Sequence, residues 1–258
     1  MQETIGPLLE KQSNLLLDLL DDDVMNEVLS LCSPVELSLG DKLICAGSPI
    51  ERVYFLQSGI ASIVVVSETG RETEAGIVGK EGFVPIGALA GVETSMTEII
   101  VQAPGKANAI DIEDFRSLIA KNRFFLEIMI AALHASRAQV ECTASSNAVH
   151  TVTQRLARWL LMCQDRVEGN HLQLTHDFLS KMLAVRRASV TDALHILESE
   201  GWIRSERARI VIKNRAGLQA YARDLYGLAE AESARVFMRF RKDDVSSYET
   251  KPSTEKIA

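Results

Sequence analysis

From Asp111 to Gln164 the chain contains neither glycine nor proline, and the next glycine is Gly169. These two residues are the strongest local breakers of regular structure, so their absence over such a length requires helix for most of it. A globular helix usually runs about 8 to 20 residues, too few to span the stretch in one piece. Breaks are therefore expected near Lys121 to Arg123 and near Ser145 to Val149. In the middle piece Leu126, Leu133 and Val140 recur every seven residues, with Met129 and Ile130 between them, a spacing that lets two helices pack along a seam. Apolar residues surround the helix between Phe124 and Leu133, more than one contact face needs. The expectation is a dimer helix; the alternative is that the stripe covers its own β domain.

The segment before it has the opposite character. Ten of the 15 glycines lie between Gly40 and Gly105, among short apolar runs such as "RVYFLQSG", "IASIVVV" and "EAGIVG". Short runs rich in Val, Ile, Tyr and Phe, punctuated by Gly, read as strands joined by tight turns. A β-sandwich or jelly roll follows. Ahead of it, Leu16, Leu19, Leu20, Val24 and Val28 have helical spacing and suggest a helical lead-in.

The third segment, "LTHDFLSKMLAVRRASVTDALHILESEGWIRSERARIVIKN", divides into a helix from Thr175 to Leu183, a turn over Ala184 to Arg186, a helix from Arg187 to Glu200, and two strands. Thr175 can cap the first helix, and Gly201 can stop the second in the left-handed conformation. Val190, Leu194 and Leu197 then pack inward with Phe178, Leu179 and Leu183, leaving Ala188, Thr191, Asp192 and His195 outward. A helix fits the major groove of B-DNA and reads base edges with its N-terminal outward side chains. Arg187 is placed for a bidentate contact to guanine, and Arg186, Ser189 and Thr191 suit phosphates or flanking bases. Asp192 repels phosphates and makes sense only as an acceptor from a cytosine amino group or as a partner that orients an arginine. Arg204, Arg207, Arg209 and Lys213 lie on a β-hairpin that would add charge beside the flanking backbone. The formal net charge of the whole chain is −7, yet residues 150 to 215 hold 11 basic and 7 acidic side chains, against 10 and 21 for residues 1 to 149. Attraction to phosphates depends on the local field, so the basic segment decides.

In this order the elements resemble the Crp/Fnr family of bacterial transcription regulators over roughly residues 16 to 220. "ELSLGDKLICAGSPIERVYFLQSGIASIVV" looks like the family's first strands and glycine turns, "GIVGKEGFVPIGALAG" like its ligand cassette, and "VTQRLARWLL" like the helix leading into its helix-turn-helix. The resemblance implies an α+β chain: an N-terminal double-stranded β-helix or jelly roll, a long dimerisation helix and a C-terminal winged helix-turn-helix. On this basis residues 1–116 form the N-terminal helix and sensor roll, 117–146 the dimer helix, 147–219 the DNA-binding domain and 220–258 a helical extension with a disordered polar tail. Implied partners are double-stranded DNA at a palindromic site, a second copy of the chain, and RNA polymerase. Members that bind cyclic AMP use a glycine and a glutamate toward the ribose and an Arg-Ser or Arg-Thr pair toward the cyclic phosphate. Gly79, Glu81 and Gly82 stand near the first set, but "ETSMTEIIV" puts Ser95 and Met96 where the second belongs. A buried phosphate without a cationic partner loses its charge-assisted hydrogen bonds. Val140 and Glu141 replace the hydroxyls that would meet the purine. The recognition-helix arginine of the family matches Arg187, whereas Ala188 and Asp192 depart from the glutamate and arginine of cyclic AMP-responsive members, so a different DNA site is expected.

Other functions find less support. No GxxxxGK[ST], HExxH or GxSxG motif is present, and the Ser-x-x-Lys of the "STEK" run sits in a polar tail; no catalytic residue is expected. Cys32, Cys45, Cys142 and Cys163 are too scattered for a disulfide framework, a zinc ribbon or an iron–sulfur cluster and are read as buried thiols. None of the five histidines lies in the β domain, which argues against haem, so neither metal nor cofactor is expected and any small-molecule effector is unknown. With no apolar run long enough to cross a bilayer and no basic-then-apolar leader, the expectation is a cytoplasmic protein without a membrane partner. The reading is a homodimeric, sequence-specific regulator whose roll does not bind cyclic AMP. The alternatives are a cyclic-nucleotide-responsive regulator and a protein-interaction module built on the roll. The segment "AGLQAYARDLYGLAEAESARVFMRF" is expected to give one or two helices packing on the winged domain.

Overall fold

The computed structural model describes residues 14–240. The polar tail "RKDDVSSYETKPSTEKIA", expected to be disordered, lies outside them. A 3-10 turn, Leu17–Leu19, precedes helix α1, Asp22–Leu31. The lead-in is thus interrupted, because the Asp21 carboxylate accepts from the Val24 N–H at 2.8 Å and starts a new helix there. Eight strands follow: β1 Cys32–Leu37, β2 Lys42–Ile44, β3 Arg52–Leu56, β4 Ile60–Val66, β5 Glu72–Val78, β6 Phe83–Val84, β7 Glu98–Ala103 and β8 Gly105–Asp111. They form two antiparallel sheets in the orders β1-β8-β3-β6 and β2-β7-β4-β5. Alternate residues face inward, as in β3, where Val53 and Phe55 are fully buried. Phe55, Phe83, Phe115 and Phe125 make a cluster with ring centroids 5.7 to 6.4 Å apart.

The glycine-free stretch breaks at Asn122, inside the expected Lys121 to Arg123 window, and again at His150 and Thr151, just beyond the expected Ser145 to Val149, which stays helical. Helix α2 runs Ile112–Lys121, α3 Arg123–Val149 and α4 Val152–Gln164. Asn122 leaves helical geometry and its side chain caps α3 on Phe125 N–H, while Thr151 and Gln154 form a reciprocal capping box on α4. The boundaries drawn at 116 and 146 therefore fall inside α2 and α3.

Helix α3 has three different faces. Phe125, Ile128, Met129, Ala131 and Ala132 are buried in the core of the roll. Gln139 reaches β5, an edge strand, accepting from Ile77 N–H at 2.7 Å and donating to Ile77 carbonyl at 3.1 Å. This pairs the edge as a neighbouring strand would. A Cβ on Gly76 would come within 2.7 Å of Gln139 Oε1, so a larger residue there would push the Gln139 amide away from Ile77. On the outer face Ile130, Leu133 and Val140 are 48%, 38% and 38% exposed, with Leu126 half-buried beside them. Met129, placed on the dimer seam by sequence spacing, belongs to the core instead.

After α4 come β9 His171–Leu172, α5 His176–Met182, α6 Arg187–Ser199, β10 Ile203–Glu206, β11 Arg209–Ile212, α7 Arg215–Ala222, a 3-10 turn Arg223–Leu225 and α8 Leu228–Met238. Helix α7 packs on α4, but α8 lies along α3. The expectation that this whole extension packs on the winged domain is thus corrected. Val236 and Phe240 join the core of the roll, and His134 Nε2 meets Glu232 Oε1 at 2.6 Å. The thiols are corrected as well: Cys163 is buried, Cys32 and Cys142 are half-buried, and Cys45 is exposed in the turn after β2. Burial pushes the Cys32 thiol up to about 11.

Candidate nucleic-acid interface

Thr175 caps α5 by accepting from Phe178 N–H at 3.1 Å. Leu183 to Arg186 turn the chain, with Ala184 in the left-handed region at φ +52°. Helix α6 then presents Val190, Ala193, Leu194 and Leu197 inward against Leu179, Met182 and Leu183, all buried. Gly201, at φ +72°, ends the helix where a Cβ would be strained. One face of α6 is committed to the core, and the opposite face is left to solvent.

On that open face Arg187, Ala188, Asp192 and His195 are exposed, with Arg186 immediately before them. Thr191 is half-buried; its hydroxyl donates to Arg187 carbonyl at 3.2 Å and lies 3.1 Å from His176 Nδ1. Ser189 is also half-buried, at the start of the helix. Arg187 Nε lies 3.3 Å from Asp177 Oδ1, with side chains 67% and 73% exposed. A pair so exposed is worth about 0–1 kcal/mol and yields readily to a phosphate or a base. The wing forms by pairing Ile203 with Ile212 and Glu206 with Arg209, leaving Arg207 and Ala208 at its tip. Arg207 is exposed there, Arg204 pairs with Glu206 at 3.2 Å, and an Arg209 nitrogen lies 2.6 Å from His171 Nδ1. Thr175, Arg186, Arg187, Ala188, Asp192, His195, Arg207 and Arg209 are thus all solvent-accessible in one module.

The set proposed for an effector pocket is not assembled. Glu81 is an ion-pair partner of Arg166 at 2.6 Å and accepts from Gly79 N–H at 3.1 Å. Gly82, with Glu81, lines a cavity of about 540 Å³ between the first turn, β5, α3 and α8, whose walls include Leu16, Ile77, Phe83, Ala135 and Phe237. Ser95, Met96 and Val140 are not part of its lining. Ser95 is tied to the Gly47–Ser48 turn through Gly47 N–H and Ser48 carbonyl, and its hydroxyl donates to Thr97 carbonyl at 2.7 Å. Met96 is 80% exposed, and Val140, 38% exposed on α3, has its Cγ2 beside Gly76 of β5.

Sequence reasoning missed how the DNA-binding module is fastened to the roll. Trp159 Nε1 on α4 donates to Glu74 Oε1 at 2.5 Å, and Ser62 Oγ donates to Glu74 Oε2 at 2.7 Å. Gln102 Nε2 donates to Cys163 Sγ at 3.0 Å. Ile60, Val64 and Ile77 of the roll share one apolar cluster with Leu156, Leu160 and the core of the helix-turn-helix. Desolvation pushes the Glu74 carboxyl up to about 7, against the two hydrogen bonds, which lower it. No local signal marks these contacts, since strand residues near 62, 74 and 102 meet a helix near 160 only in the folded chain.

A family model described as "Crp-like helix-turn-helix domain" matches residues 154–221, and one described as "Cyclic nucleotide-binding domain" matches residues 34–122. The "CRP-like cAMP-activated global transcriptional regulator" of Mycobacterium tuberculosis is 27% identical over 201 residues, covering 74% of this chain and 88% of that protein. The "cAMP-activated global transcriptional regulator CRP" of Pasteurella multocida is 25% identical over 203 residues, covering 74% and 95%. Among solved structures, a CRP-family transcriptional regulator from Thermus thermophilus superposes with a TM-score of 0.63 at 18% identity, covering 75% of this chain and 99% of that one. The c-di-GMP responsive global regulator CLP of Xanthomonas campestris gives 0.63 at 19% identity, covering 74% and 99%. These two structures share the fold.

Proposed function

Since this chain belongs to the Crp/Fnr family of transcriptional regulators and is itself a DNA-binding regulator, we propose that it works as a homodimer that sets two copies of α6 into successive major-groove segments of a palindromic site. The observation that carries this reading is the open face of α6, with Arg187 at its N-terminal end and its opposite face locked into a core. Arg187 reads a guanine; Arg186, Ser189 and Thr175 hold phosphates; Ala188, Thr191, Asp192 and His195 border the bases; Arg207 and Arg209 of the wing lie along the flanking backbone. The exposed stripe of Leu126, Ile130, Leu133 and Val140 supports the pairing of subunits, because an apolar row on one helix face is covered when two copies meet. Two-fold pairing would place the half-sites one helical turn apart, about 34–36 Å.

The roll then acts as a sensor for a small molecule other than cyclic AMP. In support, no arginine stands beside Ser95 and Met96, and Glu81 is already bonded to Arg166. A DNA partner places the protein in the cytoplasm with the chromosome, where RNA polymerase is the machinery it would influence. The test is a gel-shift titration on sequences selected from a random duplex library. Affinity that falls steeply with salt, selection of a two-fold symmetric site, and a melting midpoint unmoved by cyclic AMP are expected. Salt-independent or undetectable binding would overturn the reading.

A further inference from the structure

We propose that the tip of the β4–β5 hairpin, on the sensor roll, is part of the DNA-binding surface, with Arg71 contacting the phosphate backbone beside the first turn of α6. This inference rests on the function proposed above and adds a contact from the other unit of the chain.

The hairpin tip and the helix-turn-helix form the two walls of an open cleft of about 790 Å³. Arg71 and Glu72 come from one wall, and Ser180, Lys181, Arg186 and Ser189 from the other. Three cations therefore share the cleft with one carboxylate, and that carboxylate is taken: Glu72 Oε2 lies 3.0 Å from Lys181 Nζ. Neither Arg71 nor Arg186 makes an ion pair among the described residues, and both are exposed. Glu68, on the same turn, is not part of the cleft lining. Two unpaired guanidinium groups on facing walls repel each other and are stabilised by an anion lying between them. Ser189 adds a hydroxyl group of the kind that bonds phosphate oxygens, whereas the Ser180 hydroxyl donates to the Asp177 carbonyl at 2.8 Å.

The backbone carrying Arg71 is held in place. Its N–H donates to Ser67 Oγ at 3.0 Å, its carbonyl accepts from Ser67 N–H at 2.9 Å, and Gly70 N–H donates to Ser67 carbonyl at 2.8 Å. The hairpin is fixed relative to α6 as well, because β5 carries Glu72, Glu74 and Ile77, which bond or pack against Lys181, Trp159 and the helix-turn-helix core. When α6 enters the groove, Arg186 and Ser189 meet the phosphates at its edge. Arg71, across the same cleft, meets the continuation of that strand. The partner is a polyphosphate backbone, because the cleft is open at the face where α6 begins and continues its charge.

The experiment measures the salt dependence of operator binding by full-length wild type, R71A and R187A, with melting midpoints as a check that exposed Arg71 is dispensable for folding. For R71A the dissociation constant should rise several-fold on operator and on random duplex alike, and the log–log salt slope should fall by about 1 per protomer. R71K should keep most of the affinity. R187A should instead lose discrimination between operator and random duplex. If R71A binds with wild-type affinity and slope while R187A loses discrimination, the hairpin contact is overturned and the proposed function stands. If wild type itself shows no salt-dependent affinity for any duplex, the proposed function falls and this inference falls with it.

Discussion

Replacing Glu74 by glutamine tests the junction between sensor roll and DNA-binding module through its pH dependence. The carboxyl is fully buried, bonded by Ser62 and Trp159, and its pKa is raised from 4.5 to about 7. A carboxyl raised in the folded state makes its stabilising contribution in full below the unfolded value of 4.5, and loses it progressively as pH climbs through about 7. Each unit of difference corresponds to about 1.36 kcal/mol, so the complete loss amounts to about 3 kcal/mol, of which about 2.5 kcal/mol falls between pH 5 and pH 8. Glutamine keeps the shape and does not ionise; its amide oxygen accepts from Trp159 Nε1, and its NH2 donates to Ser62 Oγ, whose own hydroxyl hydrogen then goes to Gln102 Oε1. Urea unfolding of wild type and E74Q at pH 5 and pH 8 gives a difference of differences in which all other titrating groups cancel. Wild type should lose about 2.5 kcal/mol more than E74Q over that range, with E74Q the more stable protein at pH 8 relative to its position at pH 5. Equal pH dependence in the two proteins would refute the reasoning.

Two further changes follow from local geometry. Ala184 occupies the left-handed region at φ +52°, where a side chain costs about 1–2 kcal/mol and glycine does not; allowing for glycine's larger unfolded-state entropy, A184G should stabilise the protein by about 0.5–1 kcal/mol in urea unfolding. Leu133 is exposed on the outer face of α3, so L133E should leave the melting midpoint of the single subunit unchanged while shifting sedimentation from dimer toward monomer, and should weaken operator binding in proportion to the dimer lost.

Where the sequence spoke clearly, the determinants were local. Both helix breaks, at Asn122 and His150, lie where short polar caps replace apolar periodicity, and the helix-turn-helix is bounded by Thr175 and Gly201, residues whose conformational roles are set within a few positions. Where reading by spacing failed, the competing contact was distant. Met129 fits a heptad seam as well as it fits the core, and only the packing of α3 on the Phe125 side decides between them. Glu81 looks like a free acid near a glycine turn until Arg166, 85 residues later, claims it. Helix α8 carries apolar residues without stating their partner, and the partner is α3 rather than the winged domain. Cys45 follows an apolar run, but the turn after β2 carries it to the surface. Arg71 carried no signal at all, since its relation to α6 exists only because β5 docks on α5 and α4.

The central claim is that α6 reads DNA from the major groove with Arg187 as a base contact. The most direct measurement is the affinity of wild type and R187A for a selected operator and for a panel carrying each single base-pair change. Wild type should discriminate by about 1–3 kcal/mol at one guanine per half-site, and R187A should lose discrimination at that position alone. If R187A retains the full pattern of base preferences, the helix does not read the site in this way and the account is contradicted.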